Sequence, residues 1–354
     1  MKKAFFINGG AGRVLCAIPA LENYAKKHDD FIIVSEGWPE IFAGNKILQD
    51  KVYNVSHKDL FENHLKDCEL VSPEPYRLNQ YFNQKCNLIQ AFDIIINELD
   101  HIPKTQKITI ELNKKEQIDG HNIVGEVRSA KQKEKVIVFQ PFGSSVQVQG
   151  QFIFDSSGRS FELNDVYKLI ESLTKHYGVI VMSPFQIPSQ TELGFAWPQN
   201  VSIRTWMGII NAADYFVGCD SLGQHLAHAL DKPTTVVIGS TFPENISYPE
   251  TKNFTIVDNG LGRKKYSPIR ITMDDFTDRT NEELMALSKE NFNKLVESIT
   301  KVLKTNTTIT NMKQVNVPHV HGPNCSHGIP NAGLLPPAVK KPNLLEQMNK
   351  NTSK

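Results

Sequence analysis

Apolar residues fall along this chain in short continuous runs that alternate with stretches of helical spacing. Ala4–Ile7 is the first run, and Asn8-Gly9-Gly10-Ala11-Gly12 ends it. Val14, Leu15, Ile18, Leu21, Tyr24 and Ala25 then recur at helical intervals, and Phe31–Val34 is the next run. Strand, glycine loop, helix and strand make a βαβ unit, and continuous apolar strands predict a parallel sheet covered on both faces. Residues from about 38 to 110 show no clear period, and the apolar stretch Ala91–Leu99 reads equally as a strand or a buried helix.

Polar residues dominate from Asn113 to Lys135, which marks the best interdomain linker in the sequence. The pattern then restarts. Val136–Phe139 reads as a strand, Asn164–His176 as a helix and Val179–Met182 as a strand. Trp206, Ile209 and Ile210 belong to a short helix, Tyr215–Val217 to a strand, Leu222–Leu230 to a helix and Thr234–Ile238 to a strand. Glu282–Leu303 reads as one long amphipathic helix, and the segment beyond it is rich in Asn, Thr, Pro and Lys without a sustained period. The domain expectation is therefore 1–130, 131–280, a C-terminal helix at 281–304 and a largely disordered tail at 305–354. In open parallel sheets ligands sit beyond the carboxyl ends of the strands, so both domains would aim their loops into a shared cleft.

Composition narrows the class further. A length of 354 residues suits two domains of common size. A formal charge of +1 gives no global attraction to nucleic acid or membrane. The apolar start at Ala4–Ile7 is too short for a signal peptide, and no run is long enough to span a bilayer. Cys16, Cys68, Cys86, Cys219 and Cys325 are scattered and odd in number, as for thiols in a reducing cytoplasm. A cytoplasmic protein is the expectation.

Two loops have the residue types for ligand chemistry. Gly10, Ala11, Gly12 and Arg13 open a helix straight after a strand, where backbone amides and the helix dipole favour an anion. Gly10 and Gly12 also match the first two glycines of a dinucleotide fingerprint, and Glu36 ends the second strand where a ribose-binding acid would sit. Leu15 occupies the third glycine position, so that fingerprint is incomplete. The second loop is Gly218-Cys219-Asp220-Ser221-Leu222-Gly223-Gln224-His225. It sets an acid at a strand end and a hydroxyl at a helix start, where free amides would hold a diphosphate and Asp220 would accept from sugar hydroxyls. His225, one turn inside the helix, suits bracing the loop or touching ligand. His228 reads as a packing or surface residue.

This second segment, with Lys232-Pro233 beyond it, resembles the signature of glycosyltransferase family nine, the ADP-heptose:lipopolysaccharide heptosyltransferases. In that signature a Gly-x-Asp-Thr-Gly-x-x-His loop precedes a small-residue helix, and here the glycine stands one position later. Ile238–Pro243, Asn211–Asp214 and Gly12–Leu21 are similar to further family segments. The resemblance implies a GT-B fold, α/β with two Rossmann-like parallel-sheet domains facing a cleft. It implies donor binding by Gly143, Ser144, Arg159, Ser221, Leu222, Gly223, Gln224 and His225, and acceptor binding by Gly10, Ala11, Gly12 and Arg13. Asp220 and Arg13 are the candidate catalytic residues. The family carries a catalytic aspartate where this chain has Arg13, which cannot act as a base near neutral pH. The base is therefore unassigned, with Glu36 as a candidate.

The expected function is transfer of a sugar from a nucleotide-diphosphate sugar to an acceptor hydroxyl, with no cofactor and no metal required. The acceptor stays open among a glycan or lipopolysaccharide, a lipid-linked substrate and a modified nucleic-acid base, and peripheral membrane contact also stays open. Closure of the two domains would bring Gly10–Arg13 toward Asp220–His225. The alternatives are an NAD(P)-dependent oxidoreductase using the first loop and a non-catalytic nucleotide-sugar-binding protein. Separately, His319, His321, Cys325 and His327 place zinc-ligand types close together in the tail, away from catalysis.

Overall fold

The computed structural model describes residues 1–149, 152–155, 157–188, 190–263, 265 and 283–313. In the first half, β1 (Lys3–Ile7), α1 (Ala11–Ala25) and β2 (Phe31–Ser35) form the anticipated βαβ unit. Short strands β3 (Val52–Asn54) and β4 (Glu69–Val71) flank them, followed by helices α2 (Asn79–Phe82) and α3 (Leu88–Ile96). The sheet is parallel throughout, in the order β3-β2-β1-β4. The open reading of Ala91–Leu99 resolves as helix. Asn87 caps α3 with a capping box to Gln90, which starts the helix just before the apolar run.

The stretch read as a linker is helix α4 (Lys114–Lys131), started by an Asn113–Glu116 capping box and ended by Gln132 in the left-handed region. Its buried stripe is Gly120, Val124 and Val127. Spacing of four and three residues puts these on one face, but the stripe is narrow and begins with a glycine, so hydropathy alone hides it.

Next come β5 (Val136–Gln140), the hairpin β6 (Val146–Gln149) and β7 (Phe152–Asp155), α5 (Leu163–Thr174) and β8 (Gly178–Val181). They are followed by α6 (Gln190–Leu193), α7 (Ile203–Ala212), β9 (Tyr215–Cys219), α8 (Leu222–Ala229), β10 (Thr234–Ile238), α9 (Pro243–Ile246) and β11 (Phe254–Asp258). The second parallel sheet runs β11-β10-β9-β5-β8, and β6 pairs antiparallel with β7. The last helix, α10 (Lys289–Lys313), starts later than its apolar pattern suggests, and Leu284 is buried in the turn before it.

Strand alternation divides the core. Val136 and Val138 join an apolar cluster shared with α1, α3 and α7, whereas Ile137 and Phe139 face a second cluster with α5 and α10. The first cluster runs without a break from Phe5, Leu15 and Ile18 to Met207, Phe216 and Leu226. Contacts gather Met1–Asn311 into one compact unit.

Each sheet changes its winding direction once. In the first, β2 lies on one side of β1 and β4 on the other; in the second, β8 and β9 flank β5. Such switch points leave a crevice at the carboxyl ends of the two central strands. The loops after β1 and β4, and those after β5 and β9, are the ones that matter for ligand binding.

Candidate functional site

At the first switch point, Gly9 takes φ +90°, a conformation that favours glycine, and α1 starts two residues later. Arg13 folds back over Gly9. Its Nη1 pairs with Glu74 Oε1 at 3.3 Å, and its Nη2 donates to Pro73 O at 2.8 Å and to Glu74 Oε2 at 3.4 Å. The guanidinium lies over the rings of Tyr76 and Phe92, and its Nε is buried without a partner. Arg13 is thus held by the turn after β4. Glu36 is exposed at the end of β2, and among the described contacts none joins it to Arg13 or Asp220.

At the second switch point Gln140, the last residue of β5, bridges to the loop after β9. Its Nε2 donates to Ser221 Oγ at 3.1 Å, and its Oε1 accepts from the Gly223 amide at 2.8 Å. One first-turn amide of α8 is therefore already satisfied. A Cβ at Gly223 would lie 2.3 Å from the Phe216 ring and 2.4 Å from Gln140 Oε1, so a side chain there would push one or both aside. Asp220 accepts from Gln224 Nε2 at 3.0 Å and from Thr241 Oγ1 at 2.9 Å. Asp220, Ser221, Gly223, Gln224 and His225 are all buried, and Leu222 is half-buried.

The loop after β7 completes this side. Asp155 accepts from the amide and hydroxyl of both Ser157 and Ser160. Burial opposes its charge, but those hydrogen bonds and nearby Arg159 prevail and hold it below the ordinary carboxylate range. Ser160 Oγ also accepts from the Gly143 amide at 2.9 Å, while Ser144 is exposed at the loop tip. Arg159 donates through Nε to Ser157 Oγ at 3.0 Å, and its two Nη atoms make no hydrogen bond among the described residues. Burial works against the guanidinium charge. Asp220 and Asp155 outweigh it and raise the pKa, with Tyr76 of the first half also close enough to contribute.

The two switch points touch. A Cβ on Gly12 would meet His225 Cδ2 at 3.0 Å and Leu222 Cα at 3.5 Å, so α1 and α8 approach at that glycine. His225 is buried, with Nδ1 2.7 Å from Tyr248 Oη and 3.5 Å from Cys16 Sγ. Burial first, then His228 and Arg159 nearby, lowers its pKa to about 3, so the ring is neutral. These are the contacts of a bracing side chain. His228 stacks on Tyr248 at 3.5 Å between ring centroids.

The structure gathers Gly12, Arg13, Arg159, Asp220 and His225 into one neighbourhood. Gln140, Asp155, Glu74, Tyr76 and Tyr248 belong to it and escaped the sequence reading. Gln140 carried a usable signal, a polar residue closing an otherwise apolar strand. A cavity of about 770 Å³ lies between 84–107 and 244–251 and reaches Tyr248 and His228, but none of the expected site residues lines it. Among the described residues no group of three or more His, Cys, Asp or Glu is placed to hold a metal ion, and no helix is long and apolar enough to cross a membrane. His319, His321, Cys325 and His327 lie outside the described residues.

No protein-family profile matches the sequence, and no curated protein matches it. Solved structures do match. A glycosyl transferase of family 9 from Veillonella parvula DSM 2008 is 12% identical, with 86% of this chain and 97% of that one covered, at a TM-score of 0.57. The iron-containing dodecameric glycosyltransferase TibC from enterotoxigenic E. coli H10407 is 13% identical, with 85% and 76% covered, at 0.57. TibC described as a heptosyltransferase in complex with ADP-D-β-D-heptose is 14% identical, with 86% and 76% covered, at 0.55. The chain has the α/β fold of these glycosyltransferases, with its two parallel sheets.

Proposed function

We propose that this chain is a glycosyltransferase that binds a nucleotide-diphosphate sugar at the second switch point and passes the sugar to an acceptor hydroxyl. The observation that carries the reading is Arg159, a guanidinium whose charge Asp220 and Asp155 favour and whose two Nη atoms make no hydrogen bond among the described residues. A diphosphate offers such a fork bidentate, charge-assisted hydrogen bonds. Gly143 and Ser144 flank the diphosphate, and the amino end of α8 adds its dipole. Asp220 accepts from donor-sugar hydroxyls, and the first switch point receives the acceptor, with 1–130 and 131–280 as the acceptor and donor domains.

In this reading the charge that develops on the leaving nucleoside diphosphate is met by Arg159 and the helix dipole, so the reaction needs no metal. The same fold is seen with ADP-D-β-D-heptose in TibC, which makes an ADP-sugar the first donor to try. The oxidoreductase alternative fits poorly, because fully buried Leu15 fills the position where the dinucleotide fingerprint needs a close-packed glycine.

The test is a thermal-shift panel of ADP-D-β-D-heptose, UDP-glucose, GDP-mannose, dTDP-glucose and NAD. A ligand at a hundred times its Kd stabilises by about 2.7 kcal/mol. Arg159→Ala should weaken the best nucleotide sugar roughly 10- to 100-fold through the loss of charge-assisted hydrogen bonds. Stabilisation by NAD with no response to any nucleotide sugar refutes the reading.

A further inference from the structure

Sugar transfer has one requirement that the donor-side residues leave unmet: the acceptor hydroxyl must lose its proton as it attacks. Among the described residues, four carboxylates stand at or beside the two switch points. Asp155 is committed to Ser157 and Ser160. Both oxygens of Asp220 accept hydrogen bonds, on the donor side. Glu36 ends β2, across β1 from the crevice, and is exposed. Glu74 remains. It follows β4 in the crevice of the first sheet, and its side chain is 40% exposed.

The setting of Glu74 suits proton transfer. Its oxygens meet Arg13 at 3.3–3.5 Å. These contacts are longer than the 2.7–2.9 Å usual for a charge-assisted pair. A carboxylate has about four lone-pair sites, so acceptor capacity is left for a substrate hydroxyl. Arg13 itself is anchored independently by Pro73 O and by the Tyr76 and Phe92 rings. Tyr76, two residues past Glu74, is near enough to Arg159 to favour its charge, which brings this turn toward the donor guanidinium.

We infer that Glu74 is the general base of this enzyme and that Arg13 is its positioning residue, an inference that rests on the sugar-transfer reading. The proton of the acceptor hydroxyl passes to a Glu74 oxygen while the acceptor oxygen forms its bond to the anomeric carbon. The bond from that carbon to the phosphate oxygen breaks, and its electron pair leaves with the nucleoside diphosphate beside Arg159. Glu74 returns the proton to water through its exposed side.

The experiment follows hydrolysis of ADP-D-β-D-heptose and UDP-glucose, with water as acceptor, across pH for wild type, Glu74→Gln, Glu74→Asp, Arg13→Gln and Arg13→Lys. Glu74→Gln should keep donor affinity within about twofold by thermal shift, lower kcat by roughly 100-fold or more and abolish the acidic limb of the profile. Glu74→Asp should restore part of the rate. Arg13→Gln should lower kcat by roughly 10-fold with donor affinity unchanged, and Arg13→Lys should restore part of it, because the cation that holds the carboxylate in place has gone. Wild-type kcat and an unaltered acidic limb in Glu74→Gln overturn the inference and leave donor binding standing. Should Glu74→Gln fail to fold, a wild-type kcat in both Glu74→Asp and Arg13→Gln overturns it equally. A wild-type protein that neither binds nor hydrolyses a nucleotide sugar sinks the reading itself and this inference with it.

Discussion

Two alanine substitutions in one helix should move stability in opposite directions. Helix α4 crosses α7 where Gly120 lies on Gly208. A Cβ added at Gly120 would sit 2.2 Å from the Gly208 carbonyl and 2.8 Å from the Ile209 amide, against ordinary contact at 3.4 Å or more. The obstructing atoms are backbone and cannot rotate away, so the helices must part by roughly 1 Å, and overpacking of this kind costs about 3 kcal/mol. Alanine returns about 1 kcal/mol of helix propensity, which leaves a net loss of about 2 kcal/mol. Gly125, on the same helix, has nothing within 4 Å of its added Cβ, so Gly125→Ala should show the propensity gain alone, about 1 kcal/mol. At roughly 2–4 °C per kcal/mol, Tm should fall by about 4–8 °C for Gly120→Ala and rise by about 2–4 °C for Gly125→Ala. Differential scanning calorimetry on both variants measures this. Gly120→Ala melting within 1 °C of wild type, or above it, would refute the close crossing.

The neighbouring ion pair should also matter: Arg204 meets Glu116 through Nε at 2.9 Å and Nη2 at 2.7 Å, both side chains largely buried. Glu116→Gln can keep the helix cap but leaves a buried guanidinium without its counter-charge, which should cost roughly 2–3 kcal/mol in urea unfolding; a cost below 0.5 kcal/mol would show that the pair is dispensable. His225 and His228 have pKa values lowered to about 3 and about 4 by burial, so the unfolded chain binds their protons more readily. Stability from these groups is complete above the unfolded value near 6.5 and is lost as pH falls, by roughly 1.5 kcal/mol per histidine between pH 6.5 and 5. His228→Phe keeps a ring against Tyr248 and should flatten that dependence by one histidine's share; an unchanged slope would show that His228 does not contribute.

Legibility in the sequence followed burial. β1, β2, β5, β9 and β10 were visible because parallel strands covered on both faces read as unbroken apolar runs. β3 and β4 were not, because each is a three-residue edge strand and half-exposed or more. Helix α4 escaped because its closest contact is made by Gly120, which contributes backbone proximity and no hydropathy. The proposed donor side of the site could be read in part, since Asp220, Ser221 and Gly223 are nearly contiguous. Glu74 could not, because its partner Arg13 lies sixty-one residues away and the β4 edge that joins them leaves almost no pattern.

The joint between the halves narrows how substrates enter. Gly12 already rests on His225, so closure is not needed to bring the first loop to the α8 loop. Asn245 donates to Tyr81 O and Cys86 O, Lys107 pairs with Asp231, and the apolar cluster is continuous beneath. A wide rigid-body opening would break these ties together and wet apolar surface at about 25 cal/mol per Å². The segments around Arg159 are held differently. Asp155, Ser157 and Ser160 hold the loop after β7, Ser240 ties it to β10, and Arg13 holds Glu74, all through polar side chains that can exchange a hydrogen bond for one to ligand or water. Access to the Arg159 neighbourhood therefore falls to the loop after β7 and the Pro73–Tyr76 turn, the two segments that carry the charged groups the proposed transfer would require.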